Sequence, residues 1–158
     1  MVVIGSSLAR GASQGGATFH DRGGPYGATN GAKRVVAVDV TGMPVGALVV
    51  PASTTESRAT ELLLEHLVAQ GLTERLELVL VDRGTNARAA RALSRRFEVE
   101  VRQVFWPDRQ PTFPPIAHAW RVEVAHGLLG RSRRLASFAA TSGSLTRAFV
   151  SAPGWTGT

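Results

Sequence analysis

The chain has 158 residues, 44% of them hydrophobic, with a net charge of +6. That is enough apolar material for one domain with a real core, and it excludes an intrinsically unfolded chain. The absence of cysteine excludes disulfides and thiolate zinc sites, so any metal would sit on oxygen or imidazole ligands, which favours a hard cation such as Mg²⁺.

In chain order, VVIGSS at 2–7 reads as a short buried strand. Residues 11–31, rich in Gly, Ser, Thr and Asn without a sustained apolar period, read as a flexible loop. The β-branched runs KRVVAVDV (33–40) and PVGALVVP (44–51), separated by Thr41, Gly42 and Met43, predict an antiparallel hairpin. From Thr55, apolar residues at 59, 62, 63 and 67 predict a helix, with Ser53 or Thr54 as N-cap and Gly71 as the stop.

LELVLVD (76–82) predicts a strand ending on an acid, NARAARALSRRF (86–97) a basic helix, and EVEVRQV (98–104) an alternating strand. Four prolines between 106 and 115 forbid regular structure there. Residues 117–135 predict a helix with Val122, Ala125 and Leu129 on one side. A short helix near 144–150 and a disordered tail at 151–158 complete the reading. The order of three strands, helix, strand, helix, strand, helix predicts an α/β fold, a mixed sheet with helical crossovers, in one domain spanning 1–150.

No run approaches the roughly 18 apolar residues of a membrane span, and the N-terminal residues lack a signal-peptide pattern, so a soluble cytoplasmic protein is expected. Charge is unevenly placed. Residues 83–147 hold twelve of the eighteen basic residues and four of the twelve acids, a balance of +8 against −2 elsewhere. All twelve are arginine, whose planar fork suits phosphate, and this points to a polyanion such as nucleic acid; arginine bias of a GC-rich genome is the bland alternative.

Two acids stand out. Asp82 closes an apolar strand, where open α/β sheets place their sites, or else serves the turn that follows. Glu123 shares a helix face with Gly127, Gly130 and Arg134, with Arg131 beside it. Arg131, Arg133 and Arg134 are therefore candidate phosphate contacts, or simply cations at a helix C-terminus. Asp21 and Asp39 are adequately explained as turn residues. His20, His66, His118 and His126 show no metal-ligand spacing, and surface or packing roles are expected. Trp120 and Phe138 are read either as core or as base-stacking aromatics.

GGPYGATNGAKRVVAVDVTGMPVGALVVPAS (23–53), LELVLVDRG (76–84) and WRVEVAHGLLGRSRRL (120–135) together resemble the insertion-sequence five family of DDE transposases. The most specific stretch combines Trp120, Glu123, Gly130, Arg131, Arg133, Arg134 and Leu135. The resemblance covers roughly residues 2–150. It implies a ribonuclease-H-like mixed five-stranded sheet with flanking helices, DNA (transposon ends) as partner, a homodimer or association with an intact transposase, and nucleoid association. It also implies two Mg²⁺ ions about 4 Å apart that promote in-line cleavage and strand transfer, with Asp82 and Glu123 as catalytic metal ligands.

The family's first aspartate falls in VVIGSS, where this chain has Gly5 before Ser6, and glycine cannot ligate a metal. Impaired or absent catalysis is the expectation. Thr85 stands where tyrosine is common, Val124 where arginine is common, and Ser132 lies among the late arginines. The chain begins just before the first catalytic strand, without the DNA-binding helices of a complete transposase, which suggests a second reading frame or a decayed fragment. A non-catalytic DNA-binding or regulatory remnant is the alternative function. An unrelated α/β enzyme or metal-free structural domain, with Asp82 and Glu123 far apart, is the third.

Overall fold

The structure is a computed structural model that describes residues 1–10, 31–104 and 120–131. It contains β1 (Val2–Arg10), β2 (Gly31–Asp39), β3 (Pro44–Pro51), α1 (Glu56–Ala69), β4 (Leu78–Val81), α2 (Ala87–Phe97), β5 (Glu100–Gln103) and α3 (Trp120–Gly130). The expected loops, the short helix near 144–150, the tail, and Asp21, His20, His118, Arg133, Arg134 and Phe138 lie outside the described residues. Gly31, read as the last loop residue, instead opens β2.

The five strands form one mixed sheet in the order β3-β2-β1-β4-β5. β1 pairs antiparallel with β2, which pairs antiparallel with β3; β4 runs parallel to β1, and β5 parallel to β4. This strand order, with its element sequence, is the ribonuclease-H-like α/β arrangement expected of the chain. β1 and β2 extend further than their apolar runs because Ser7, Leu8, Ala9 and Arg10 pair with Arg34, Lys33, Ala32 and Gly31. Ladder hydrogen bonds carry that extension, together with the burial of Ala32.

Strand side chains alternate between faces, and here both faces are covered. Val2, Ile4, Val35, Ala37, Val79 and Val81 pack with Leu63, Leu64 and Leu67 of α1 and Ala90 and Leu93 of α2. Val3, Val36 and Val38 face the other way, onto Val122 and Ala125 of α3. Runs such as VVI and VVAV are therefore apolar at consecutive positions because each residue meets one of two helical layers. Leu63, Leu64 and Leu67 are essentially solvent-free, and each contributes about 1.5–3 kcal/mol of burial.

The helix ends follow local chemistry. Thr55 caps α1, its side chain accepting from the Arg58 amide, so the cap sits one residue beyond the expected Ser53 or Thr54. At the other end Gly71, with φ +68°, allows its own N–H to reach Val68 O and the Leu72 N–H to reach Leu67 O, the paired closure that favours glycine. Asn86 caps α2 by accepting from the Ala89 amide. Glu98 ends that helix with φ 53°, which delays β5 to Glu100. Among the described residues no helix is long and apolar enough to cross a membrane.

Candidate functional site

Asp82 follows β4 at its carboxyl end. Because Ile4 is level with Val81, the next residues lie side by side on adjacent parallel strands, Gly5 within β1 and Asp82 just past the end of β4. Asp82 is exposed, and its Oδ1 accepts from the Gly84 amide at 2.8 Å. One carboxylate oxygen thus serves the turn, as the alternative reading of this residue anticipated.

Gly5 belongs to the face covered by α3. A Cβ placed on it would lie 2.8 Å and 2.9 Å from the two methyl carbons of Val122. The neighbour of Asp82 is therefore a glycine over which a helix has packed tightly, not an open position. Glu123 follows Val122 on α3 and is exposed. Gly127, one turn on, has nothing within 4 Å of its would-be Cβ, so the helix surface is open at that position. Arg131 is exposed just beyond α3.

On the opposite face of the sheet, a carboxylate that the sequence reading passed over approaches Asp82. Glu56 opens α1 and accepts from Ser6 Oγ at 2.7 Å and Lys33 Nζ at 2.8 Å. A Cβ on Gly84 would lie 2.5 Å from Glu56 Cγ and 3.0 Å from Asp82 Oδ1, which brings the two acids to the same turn. The signal lay in topology: β3 runs in the same direction as β1 and β4, so the helix that follows it must start where those strands end. Lys33 is buried, with its side chain 9% exposed, and also donates to the Thr54 carbonyl.

These residues do not fit a pair of divalent cations. Gly5 offers no donor, one Asp82 oxygen is committed to the turn, both Glu56 oxygens are hydrogen-bonded, and the Lys33 ammonium already supplies the counter-charge. No group of three or more histidine or acid side chains suited to a metal occurs among the described residues.

The other singled-out residues fall elsewhere. Asp39 ends β2 level with Val2, at the opposite end of the sheet from Asp82. Its Oδ1 accepts from the Thr41 amide and hydroxyl and the Met43 amide. Slight burial pushes its carboxyl up, but the Thr41 hydroxyl and the amides of Met43, Thr41 and Gly42 outweigh this and hold it below the usual value, which is the turn role anticipated for it. Thr85 is buried, its hydroxyl 3.2 Å from that of Thr60 on α1 and its carbonyl accepting from Gln103. It therefore packs between elements. Trp120 is 43% exposed with the Arg121 guanidinium 5.6 Å from its ring centre, so it is not a core residue. Val124, at 46%, is also exposed.

No protein family model matches the chain, and no curated protein matches it. Among solved structures it is similar to a piggyBac transposase synaptic complex with hairpin DNA. Sequence identity is 16% and the TM-score 0.39; the match covers 84% of this chain and 26% of that one.

His126 is the one histidine buried among the described residues, 6% exposed, and neither ring nitrogen has a hydrogen-bond partner there. Burial lowers its pKa. The Gly5 backbone, nearby but outside hydrogen-bond geometry, and the charge of Glu123 oppose that shift in part. A base with a lowered folded pKa stays neutral while the unfolded chain takes up a proton. The stability it contributes is complete above the unfolded value of about 6.5 and is lost as pH falls from there toward the folded value. Urea denaturation at about pH 7.5 and pH 5.5 should show this loss in the wild type and a smaller one in His126→Leu. An equal loss in both would assign it to other groups.

Proposed function

We propose that this chain is a ribonuclease-H-like domain of the insertion-sequence five type of DDE transposase that binds DNA without cleaving it. The observation that carries this reading is Gly5 lying beside Asp82 with Val122 packed over it. A two-metal mechanism needs carboxylates that converge on both ions. Here the first position lacks an oxygen and the space a carboxylate would occupy is taken by a side chain. The motifs containing Asp82 and Glu123, together with the strand order of the sheet, support the transposase relationship.

What the chain's own residues do is hold cations toward a polyanion. Arg131 stands exposed at the end of α3, and Arg133 and Arg134 follow it in sequence. Guanidinium groups there meet phosphate oxygens in forked pairs, and release of condensed counterions makes the affinity salt-dependent. In a cell such a domain would occupy transposon ends, alone, as a homodimer, or with an intact transposase, and would be nucleoid-associated.

Fluorescence anisotropy with a labelled duplex tests the reading. Log affinity should fall linearly with log salt, and the triple variant Arg131→Ala, Arg133→Ala, Arg134→Ala should lower the slope by up to about 2.7, at about 0.9 per phosphate contact. Adding Mg²⁺ or Mn²⁺ should yield no nicked or joined product. Metal-dependent cleavage by the unaltered chain would refute the non-cleaving reading, and absence of duplex binding would refute the DNA reading.

A further inference from the structure

We infer that α2 forms a second duplex-DNA contact surface, separate from the cations at the end of α3. Arg88, Arg91 and Arg95 are all exposed. At about 100° per residue they fall within one narrow arc of the helix, opposite buried Ala90 and Leu93 and half-buried Phe97. The neighbouring position, Arg96, points the other way along the helix surface and pairs with Glu61 and Glu65 of α1.

The pattern of pairing is selective. Arg58 makes ion pairs with Glu61 and Glu65, and Arg102 makes an ion pair with Glu100. Arg88, Arg91 and Arg95 have none among the described residues. Their spacing of three and four places like charges on adjacent turns, which destabilises a helix by a few tenths of a kcal/mol per pair. No acid occupies the first turn of α2 to offset the positive end of its dipole. Arg88 and Arg91 therefore stand without a compensating acid, and Arg95, in the last turn where the dipole favours a cation, extends the same cationic row.

From Arg88 to Arg95 the row is about 10 Å long, at 1.5 Å per residue, a length along which duplex DNA carries about six phosphate charges. α2 packs on the face of the sheet that α1 covers, whereas α3 covers the other. The two cationic surfaces thus address DNA from opposite sides of the sheet. The inference rests on the DNA-binding reading for the identity of its polyanion.

The experiment compares binding of a labelled duplex of about 20 base pairs by four proteins across a salt series. They are the unaltered chain, Arg88→Gln/Arg91→Gln/Arg95→Gln, Arg131→Gln/Arg133→Gln/Arg134→Gln, and a control of equal charge loss, Arg58→Gln/Arg96→Gln/Arg102→Gln, whose arginines are ion-paired. The α2 variant should lose up to about 2.7 from the salt slope, clearly more than the control, while its thermal midpoint stays level or rises as like-charge repulsion is relieved. An α2 variant that binds like the unaltered chain, or no more weakly than the control, overturns this inference and leaves the DNA reading standing. Failure of the unaltered chain to bind overturns both. Tighter binding of a single-stranded RNA of about 20 nucleotides than of the duplex, lost in the α2 variant alone, would reassign the surface to RNA and overturn the inference as stated.

Discussion

Gly5→Asp should unfold more easily than the unaltered chain and still fail to gain metal affinity, although it restores the carboxylate that the transposase resemblance calls for. A Cβ at residue 5 meets the Val122 methyls at 2.8 Å and 2.9 Å, closer than side chains normally approach. Overpacking of this kind costs about 1–3 kcal/mol. The added carboxylate would be pressed between β1 and α3 beside unpartnered His126, and burying a charge without a dedicated partner adds further cost. Gly5→Ala isolates the steric part and should cost about 1–3 kcal/mol in urea denaturation.

Val122→Ala separates the two effects. By itself it removes buried methyl groups and should destabilise, yet combined with Gly5→Ala the total loss should be smaller than the sum of the single losses, because the same atoms conflict. Calorimetry with Mn²⁺ on Gly5→Asp/Val122→Ala then asks whether space as well as an oxygen was missing. Additive losses in the cycle would show that α3 does not press on residue 5. Metal binding by Gly5→Asp alone would show that the missing ligand was the whole defect.

Glu56→Ala should be the most damaging single change at the end of the sheet. Lys33 Nζ would keep the Thr54 carbonyl but lose its counter-charge, and Ser6 would lose its acceptor. Removing one member of a buried pair costs about 3–5 kcal/mol; Glu56 retains 28% side-chain exposure, so water offsets part of this and about 2–3 kcal/mol is expected. Glu56→Gln, which keeps an oxygen for Ser6 or Lys33, should lose less. Lys33→Met/Glu56→Leu removes both charges together and should recover much of the loss, as replacement of whole buried pairs does elsewhere. Equal stability of Glu56→Ala and the unaltered chain would mean that the pair is solvated and carries no structural weight.

The layout of the fold was legible in the sequence where the physics is local. The strand leading to Asp82, found at Leu78–Val81 within the expected 76–82, the helix stopped by Gly71, the basic helix after Asn86 and the Val122–Ala125 face follow from spacing and capping chemistry, while the N-cap of α1 fell on Thr55 rather than on Ser53 or Thr54. Departures occurred where a partner decides. β1 and β2 run on through Arg10 and from Gly31 because each is the other's ladder. Thr85, by sequence a residue of a strand-end turn, is drawn inside by Thr60 from another element.

At the candidate site the division is similar. Sequence alone determined that residue 5 carries no ligand, that Asp82 ends a buried strand, that Glu123 rides on a helix, and that the second half of the chain is arginine-rich, since each is a property of residue type and near-neighbour spacing. Only tertiary structure decided that Gly5 lies beside Asp82, that Val122 fills the space above it, that Glu56 and Lys33 gather at the same sheet end, and that Arg88, Arg91 and Arg95 are left without acids. Those outcomes depend on residues brought together across the sheet by strand order and helix packing, and separations of 23 residues between Lys33 and Glu56 and 50 between Ser6 and Glu56 leave no mark in local periodicity.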